Sequence, residues 1–151
     1  MHKTIISDTS CLIVLSKIGE MDLLKKVYGS IFTTQDIASE FGDSLPEWID
    51  VLEVKDPFKQ QLLELQIDKG ESSAIALALE IPGSTVILDD FKARKIAIKL
   101  GIQVTGTLGV VIRARQKGII SSIKPILGKL KQTNFRLSTE LESEALMMAG
   151  E

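Results

Sequence analysis

Two short apolar runs in this chain end in acids. Thr4-Ile5-Ile6 leads into Asp8, and Thr85-Val86-Ile87-Leu88 leads into the pair Asp89-Asp90. A helical pattern follows each run directly. Short apolar runs bounded in this way fit strands buried on both faces, and strands alternating with helices imply a parallel sheet covered by helices. In such open sheets ligands bind beyond the carboxyl ends of the strands. The two runs therefore predict both an α/β architecture and the edge of the sheet where chemistry should sit.

The rest of the pattern completes the alternation. Strands are predicted at 3–7, 30–33, 51–54, 85–88 and 103–105. Helices are predicted at 10–18 and 21–28, broken at Gly19, then at 34–41, stopped by Gly42. Pro57 opens a helix at its first turn. Gly70 separates that helix from the stripe Ala74, Ile75, Leu77, Ala78 and Leu79, which ends before Pro82-Gly83. A basic helix at 91–100, another at 107–117 and two tail helices at 122–131 and 139–149 follow, the last opened by a capping box in Thr139-Glu-Leu-Glu142. With no repeat, low-complexity tract or long linker, residues 1–151 are expected to form one domain.

Two further acids belong with the strand-end ones. Glu71 follows Gly70 at the start of a helical pattern, and Glu40 lies near the end of another. Each acid has an ordinary explanation. Asp8 and Asp90 would cap the helices that follow them, Glu71 would gain from a helix dipole, and Glu40 would be a solvated helix residue. Taken together, with two at strand ends, they favour another reading. Clustered carboxylates repel, and a divalent cation such as Mg²⁺ or Mn²⁺, which prefers oxygen ligands, relieves the repulsion.

Charge distribution points the same way. The net charge is only −2, yet residues 1–75 carry 7 basic against 13 acidic residues, and residues 76–151 carry 11 against 7. From Phe91 to Arg136 there is no acid, and every arginine lies in that stretch. A hard-metal site adjoining a basic segment suits phosphate chemistry, with the ion on the scissile group and Lys or Arg on its neighbours. Other chemistries find little support. The single cysteine, Cys11, lies in an apolar run, and the only histidine is His2, so neither a disulfide nor a cysteine–histidine nucleophile is expected. No apolar stretch approaches the ~20 residues of a membrane span, Asp8 interrupts any signal-like segment, and a free buried thiol suits a reducing cytoplasm. Gly106-Thr-Leu-Gly109 is too short for a dinucleotide fingerprint. A phospho-accepting receiver domain would need its acid earlier in the chain than 89–90.

The motifs Ser7-Asp-Thr-Ser10, Ile37-Ala-Ser-Glu40, Gly70-Glu-Ser-Ser-Ala-Ile-Ala-Leu-Ala78, Ile87-Leu-Asp-Asp90 with Ala93-Arg94, Val104-Thr-Gly-Thr-Leu-Gly109 and Asn134-Phe-Arg-Leu-Ser138 occur in that order. In that order the chain resembles the PIN-domain proteins, metal-dependent nucleases that include VapC-type toxins. It looks most like a prokaryotic subfamily of predicted nucleic-acid-binding proteins. The resemblance implies a three-layer α/β/α fold with a short central parallel sheet and a helical C-terminal tail. It implies that Asp8, Glu40, Glu71 and Asp89 hold one or two Mg²⁺ or Mn²⁺ ions and are catalytic, with Asp90 an additional metal ligand. It places Ser10 beside water or phosphate at the ion. Lys92, Arg94 and Lys95, the basic groups nearest in sequence to Asp89-Asp90, are expected at the flanking phosphates, with Thr107 also at the substrate. The implied substrate is RNA, cut to leave a 5′ phosphate, with a small antitoxin protein and a second copy of the chain as expected partners. The alternative is a catalytically weak PIN-like module that binds nucleic acid or protein. Two features depart from the family pattern: Thr34-Gln35 stands where a proline turn is common, and Cys11 where proline is frequent; Glu71 stands where the toxins have Asp, a longer arm normal in the subfamily.

Overall fold

The computed structural model describes residues 3–151. Five parallel strands form one sheet in the order β3-β2-β1-β4-β5, flanked by helices on both faces in an α/β/α arrangement. The strands are β1 (Ile5–Ser7), β2 (Ile31–Thr34), β3 (Ile49–Leu52), β4 (Thr85–Ile87) and β5 (Gln103–Thr105). The helices are α1 (Thr9–Lys17), α2 (Asp22–Tyr28), α3 (Gln35–Phe41), α4 (Pro57–Leu63), α5 (Lys69–Glu80), α6 (Phe91–Lys99), α7 (Thr107–Gln116), α8 (Lys124–Leu130) and α9 (Thr139–Met148).

The central strands are short and mostly buried. Ile5, Ile6, Ile31, Val86 and Ile87 lie in the core, which leaves no alternating polar face to extend. β1 pairs β4 in the register Ile5↔Thr85, Ile6↔Val86, Ser7↔Ile87. β2 lies on its other side, with Ile6 opposite Phe32. The chain runs outward from β1 in both directions, so the order reverses between β1 and β4, and Asp8 and Asp89 lie just past the ends of those two strands. α5 is the main helical cover of the centre, packing on β1, β2 and β4 with buried Ala74, Ile75, Leu77 and Ala78. α7 packs on β5, α2 and α9.

Two expected boundaries move. β3 begins at Ile49 rather than Val51, because the turn Ile49 N–H to Pro46 carbonyl (3.0 Å) delivers Ile49 opposite Ile31. β3 is an edge strand with exposed Asp50 and Val51, so pairing rather than hydrophobic pattern sets its register. The expected capping box at Thr139–Glu142 is absent. Ser138 caps α9 one residue earlier, its hydroxyl accepting from Leu141 N–H at 3.1 Å, which puts Leu141 where the box needs an acid. A capping box does occur at α5, between Asp68 and Glu71.

Candidate metal centre

The carboxyl edge of the sheet is also where several helices begin, and the acids are distributed among those beginnings. Asp8 leaves β1 and caps α1, its Oδ1 accepting from Cys11 N–H at 2.9 Å. Asp90 caps α6 by accepting from Ala93 N–H at 2.9 Å. Glu71 sits in the first turn of α5, where Asp68 caps its N–H at 2.8 Å. α7 begins at Gly106, which has no side chain to cap with, and Asp89 serves instead. Asp89 Oδ1 accepts from Thr107 N–H at 2.8 Å, and Oδ2 from the Thr107 hydroxyl at 2.5 Å. The ordinary capping explanations of Asp8 and Asp90 are thus correct, and they hold the acids at the strand-end edge rather than competing with a site there.

The strand-end pair is joined across the switch point. Asp89 N–H donates to Asp8 Oδ2 at 3.1 Å, linking residues 81 positions apart. Asp8 is 2% exposed. Its carboxyl is pushed up to about 8, first by burial and then by the charge of Asp89. Glu71 is raised to about 7 by burial, then by Asp68 and Asp90. Among the described residues none of Asp8, Glu40, Glu71, Asp89 or Asp90 forms an ion pair with Lys or Arg.

Glu40 reaches the edge from the opposite direction. It lies in the last turn of α3, the end of the helix dipole that disfavours an acid, so its position owes nothing to helix stability. Its Oε1 accepts from the Thr9 hydroxyl at 2.9 Å, beside Asp8. It also presses on Gly70, beside Glu71: a Cβ built on Gly70 would stand 1.8 Å from Glu40 Oε1. Only glycine leaves room for that carboxylate. The departure at Thr34 from a proline turn has a structural counterpart here. Thr34 caps α3, accepting from Ile37 N–H at 3.2 Å, and shares a 2.6 Å hydrogen bond with Ser73 of α5.

A cleft of about 980 Å³ opens above the acids. Ser10, Glu71, Asp89, Asp90 and Arg94 line it as expected, together with Asp68. Three expectations for the substrate side are corrected. Thr107 is fully buried and both its donors serve Asp89, so it positions that carboxylate instead of meeting substrate. Lys92 and Lys95 are exposed but outside the cleft wall; Lys95 lies over the Phe91 ring at 5.7 Å. Arg94 does reach the cleft, and its Nη1 donates to the Leu88 carbonyl at 2.8 Å rather than to an acid. Two cleft cations escape sequence reasoning, Lys17 and Arg136. Ser10, Ile13, Val14 and Lys17 form a one-sided helical stripe on α1, a signal that leads from Ser10 to Lys17. His2 lies outside the described residues.

A family model described as PIN domain matches residues 4–151. The chain belongs to the PIN-domain family. No curated protein and no solved structure matches it. PIN domains are typically metal-dependent nucleases, and they generally use divalent metals. The donor chemistry of this PIN domain fits such an ion. Every candidate ligand is a carboxylate oxygen, the donor type that Mg²⁺ and Mn²⁺ prefer. The raised pKa values at Asp8 and Glu71 come partly from facing carboxylates, a repulsion a divalent charge would reverse. In the present rotamers, no three acidic, histidine or cysteine side chains of the described residues converge tightly enough to cage an ion. Glu71 is turned back to Asp68 N–H at 3.4 Å, and Glu40 toward Thr9, so those two arms would have to swing inward. No helix among the described residues is long and apolar enough to cross a membrane.

Proposed function

We propose that this PIN domain, one domain over residues 1–151, is a Mg²⁺- or Mn²⁺-dependent endoribonuclease and the toxin component of a cytoplasmic toxin–antitoxin pair. One observation carries the reading. Two acids 81 positions apart are locked together at the β1/β4 switch point, Asp8 buried and Asp89 lining an open cleft, and neither is joined to a cation of the protein. A fold keeps unneutralised buried charge only where something outside the chain neutralises it or the group takes a proton.

Asp8 and Asp89 form the fixed floor, each oriented by backbone N–H groups, and Thr107 holds Asp89 in one rotamer. Glu40 and Glu71 close the ring from two helix ends, with Asp90 at the rim. A divalent ion bound there supplies Lewis-acid polarisation of a phosphodiester and acidifies water. Ser10 and Arg94 line the path to the floor, and Arg94 offers planar donors to an adjacent phosphate. A small antitoxin and a second copy of the chain complete the proposal. Exposed Phe58, Leu62 and Leu65, running along one side of α4 and just beyond it, supply apolar surface for such contacts.

The second reading, a PIN-like binding module, draws on the same hydrogen bonds, since Asp8, Asp89 and Asp90 already do structural work as helix caps. One experiment separates the two. Purified protein, stripped of any bound partner, is incubated with a varied single-stranded RNA pool and Mn²⁺, with EDTA and Asp8→Asn as controls. Cleavage that EDTA stops and Asp8→Asn lacks supports the nuclease. An intact pool with wild type and variant alike hands the site to the binding module.

A further inference from the structure

The acids of the candidate centre make up only part of the cleft lining. Another wall is built by the segment 133–136 and α9, with Phe135, Leu141 and Met148 on it, and Leu141 and Met148 are 44% and 63% exposed. Phe91, 75% exposed, also lines the cleft. Three cations, Lys17, Arg94 and Arg136, line the same cleft, with Glu144 the one acid on α9 to line it. A second hollow of about 470 Å³ continues the first, sharing Lys17, Thr133 and Asn134 and adding Gln132 and Lys129, the last paired with Glu20 at 3.3 Å. The turn between them is firmly made. Thr133 Oγ1 donates to the Leu130 carbonyl at 2.7 Å and accepts from Phe135 N–H at 3.1 Å, which sets the aromatic ring on the cleft wall.

We propose that this wall is a nucleobase subsite and the second hollow the exit of a single strand. An unpaired base stacks on Phe135, flanking phosphates meet Arg136 and Lys17, and the strand leaves toward Lys129. Charge complementarity selects this occupant. Alternating apolar surface and isolated cations match alternating bases and phosphates, and a base must leave a duplex to reach a concave wall. The inference rests on the nuclease reading for the identity of the strand, and it moves the substrate path from α6 to the junction of α1 and the 132–136 turn.

The test reads binding, not cutting. A fluorescent single-stranded RNA of about 12 nucleotides, a length within known single-strand site sizes, is titrated by anisotropy in EDTA. One abasic nucleotide is placed at each position in turn. In wild type, one position should weaken binding by roughly 5- to 150-fold, the range of one lost stack. Phe135→Ala should lose that positional minimum, and Arg136→Ala and Lys17→Ala should each flatten the salt slope by about 0.7. Phe135→Leu keeps apolar volume and serves if the alanine variant unfolds; it too should lose the minimum. An unchanged abasic profile in the Phe135 variant that folds, or unchanged slopes in both cation variants, overturns the subsite. Metal-dependent cleavage persisting alongside those results would leave the nuclease reading standing. A lost minimum without any cleavage would leave the track standing on a binding module.

Discussion

The four acids of the candidate centre divide into two kinds. Asp8 and Asp89 are short, sit at strand ends, and have both carboxylate oxygens held by donors from other turns of the fold. Glu40 and Glu71 are longer, sit at helix ends, and each is tied by a single side-chain hydrogen bond. The first pair is preorganised by its hydrogen bonds; the second is free to adjust. In the proposed centre a rigid floor and adjustable arms would divide the work of holding a cation that demands near-ideal geometry.

The largest expected effect would come from the floor. Asp8→Asn should weaken Mn²⁺ binding beyond the ~10–100-fold typical of losing an outer-shell partner, whereas Glu40→Gln should cost distinctly less. Calorimetric titration of both variants checks this, and equal losses would erase the distinction between floor and arms.

Stability against pH should show the same division. The Asp8 carboxyl is raised from 3.8 to about 8 in the folded protein, so the proton is favoured by folding. The metal-free protein should therefore be most stable below pH ~4 with respect to this group and lose stability as pH climbs toward 8. The loss at pH 7 should be on the order of 2–4 kcal/mol, or roughly 5–15 °C in Tm. Glu71 adds a smaller change of the same sign. Asp8→Asn should flatten the profile, although its amide NH₂ would face Asp89 N–H and cost about 1–3 kcal/mol at all pH values. Thermal melts from pH 4 to 8 in EDTA decide it, and added Mn²⁺ should raise Tm more at pH 8 than at pH 5.

A third effect, on the order of 10–100-fold in metal affinity, should follow Thr107→Val, which removes the hydroxyl from Asp89 Oδ2 and leaves the backbone N–H in place. Thr107→Ser should restore it. Two glycines offer a finer comparison. A Cβ at Gly106 would stand 2.9 Å from Asp89 Oδ1, which cannot retreat, while the one at Gly70 meets the free end of Glu40. Gly106→Ala should therefore lower both Tm and metal affinity, and Gly70→Ala metal affinity alone. Smallest of all, Arg94→Ala should flatten the salt dependence of RNA binding by about 0.7 of a slope unit with Mn²⁺ affinity nearly unchanged.

The floor was legible in the sequence and the 133–136 wall was not. Asp8 and Asp89 follow apolar runs too short to be anything but buried parallel strands, so their convergence follows from topology alone. Glu71 was legible through Gly70 before it. Thr107 was misassigned because a threonine opening a helix reads the same whether its hydroxyl faces substrate or a neighbouring acid. Lys92 and Lys95 were favoured for nearness in sequence to Asp89, yet α6 turns them away while α1 and the 133–136 segment carry Lys17 and Arg136 in from far along the chain. Helix caps fooled the pattern as well, since Ser138 and Thr139 are chemically equivalent candidates and only backbone geometry chooses between them.

The strand order also sets a clock. β1 is made early but its partner β4 begins at Thr85, so at about 5–20 residues per second a ribosome needs roughly 4–16 s to supply the second half of the floor. During that interval Ile5 and Ile6 have β2 on one side and nothing on the other, and Asp8 has no Asp89 beside it. A nascent chain of this topology cannot assemble its centre on any stretch that ends before residue 89. Until residue 89 has been added, the growing chain carries only half of the candidate floor.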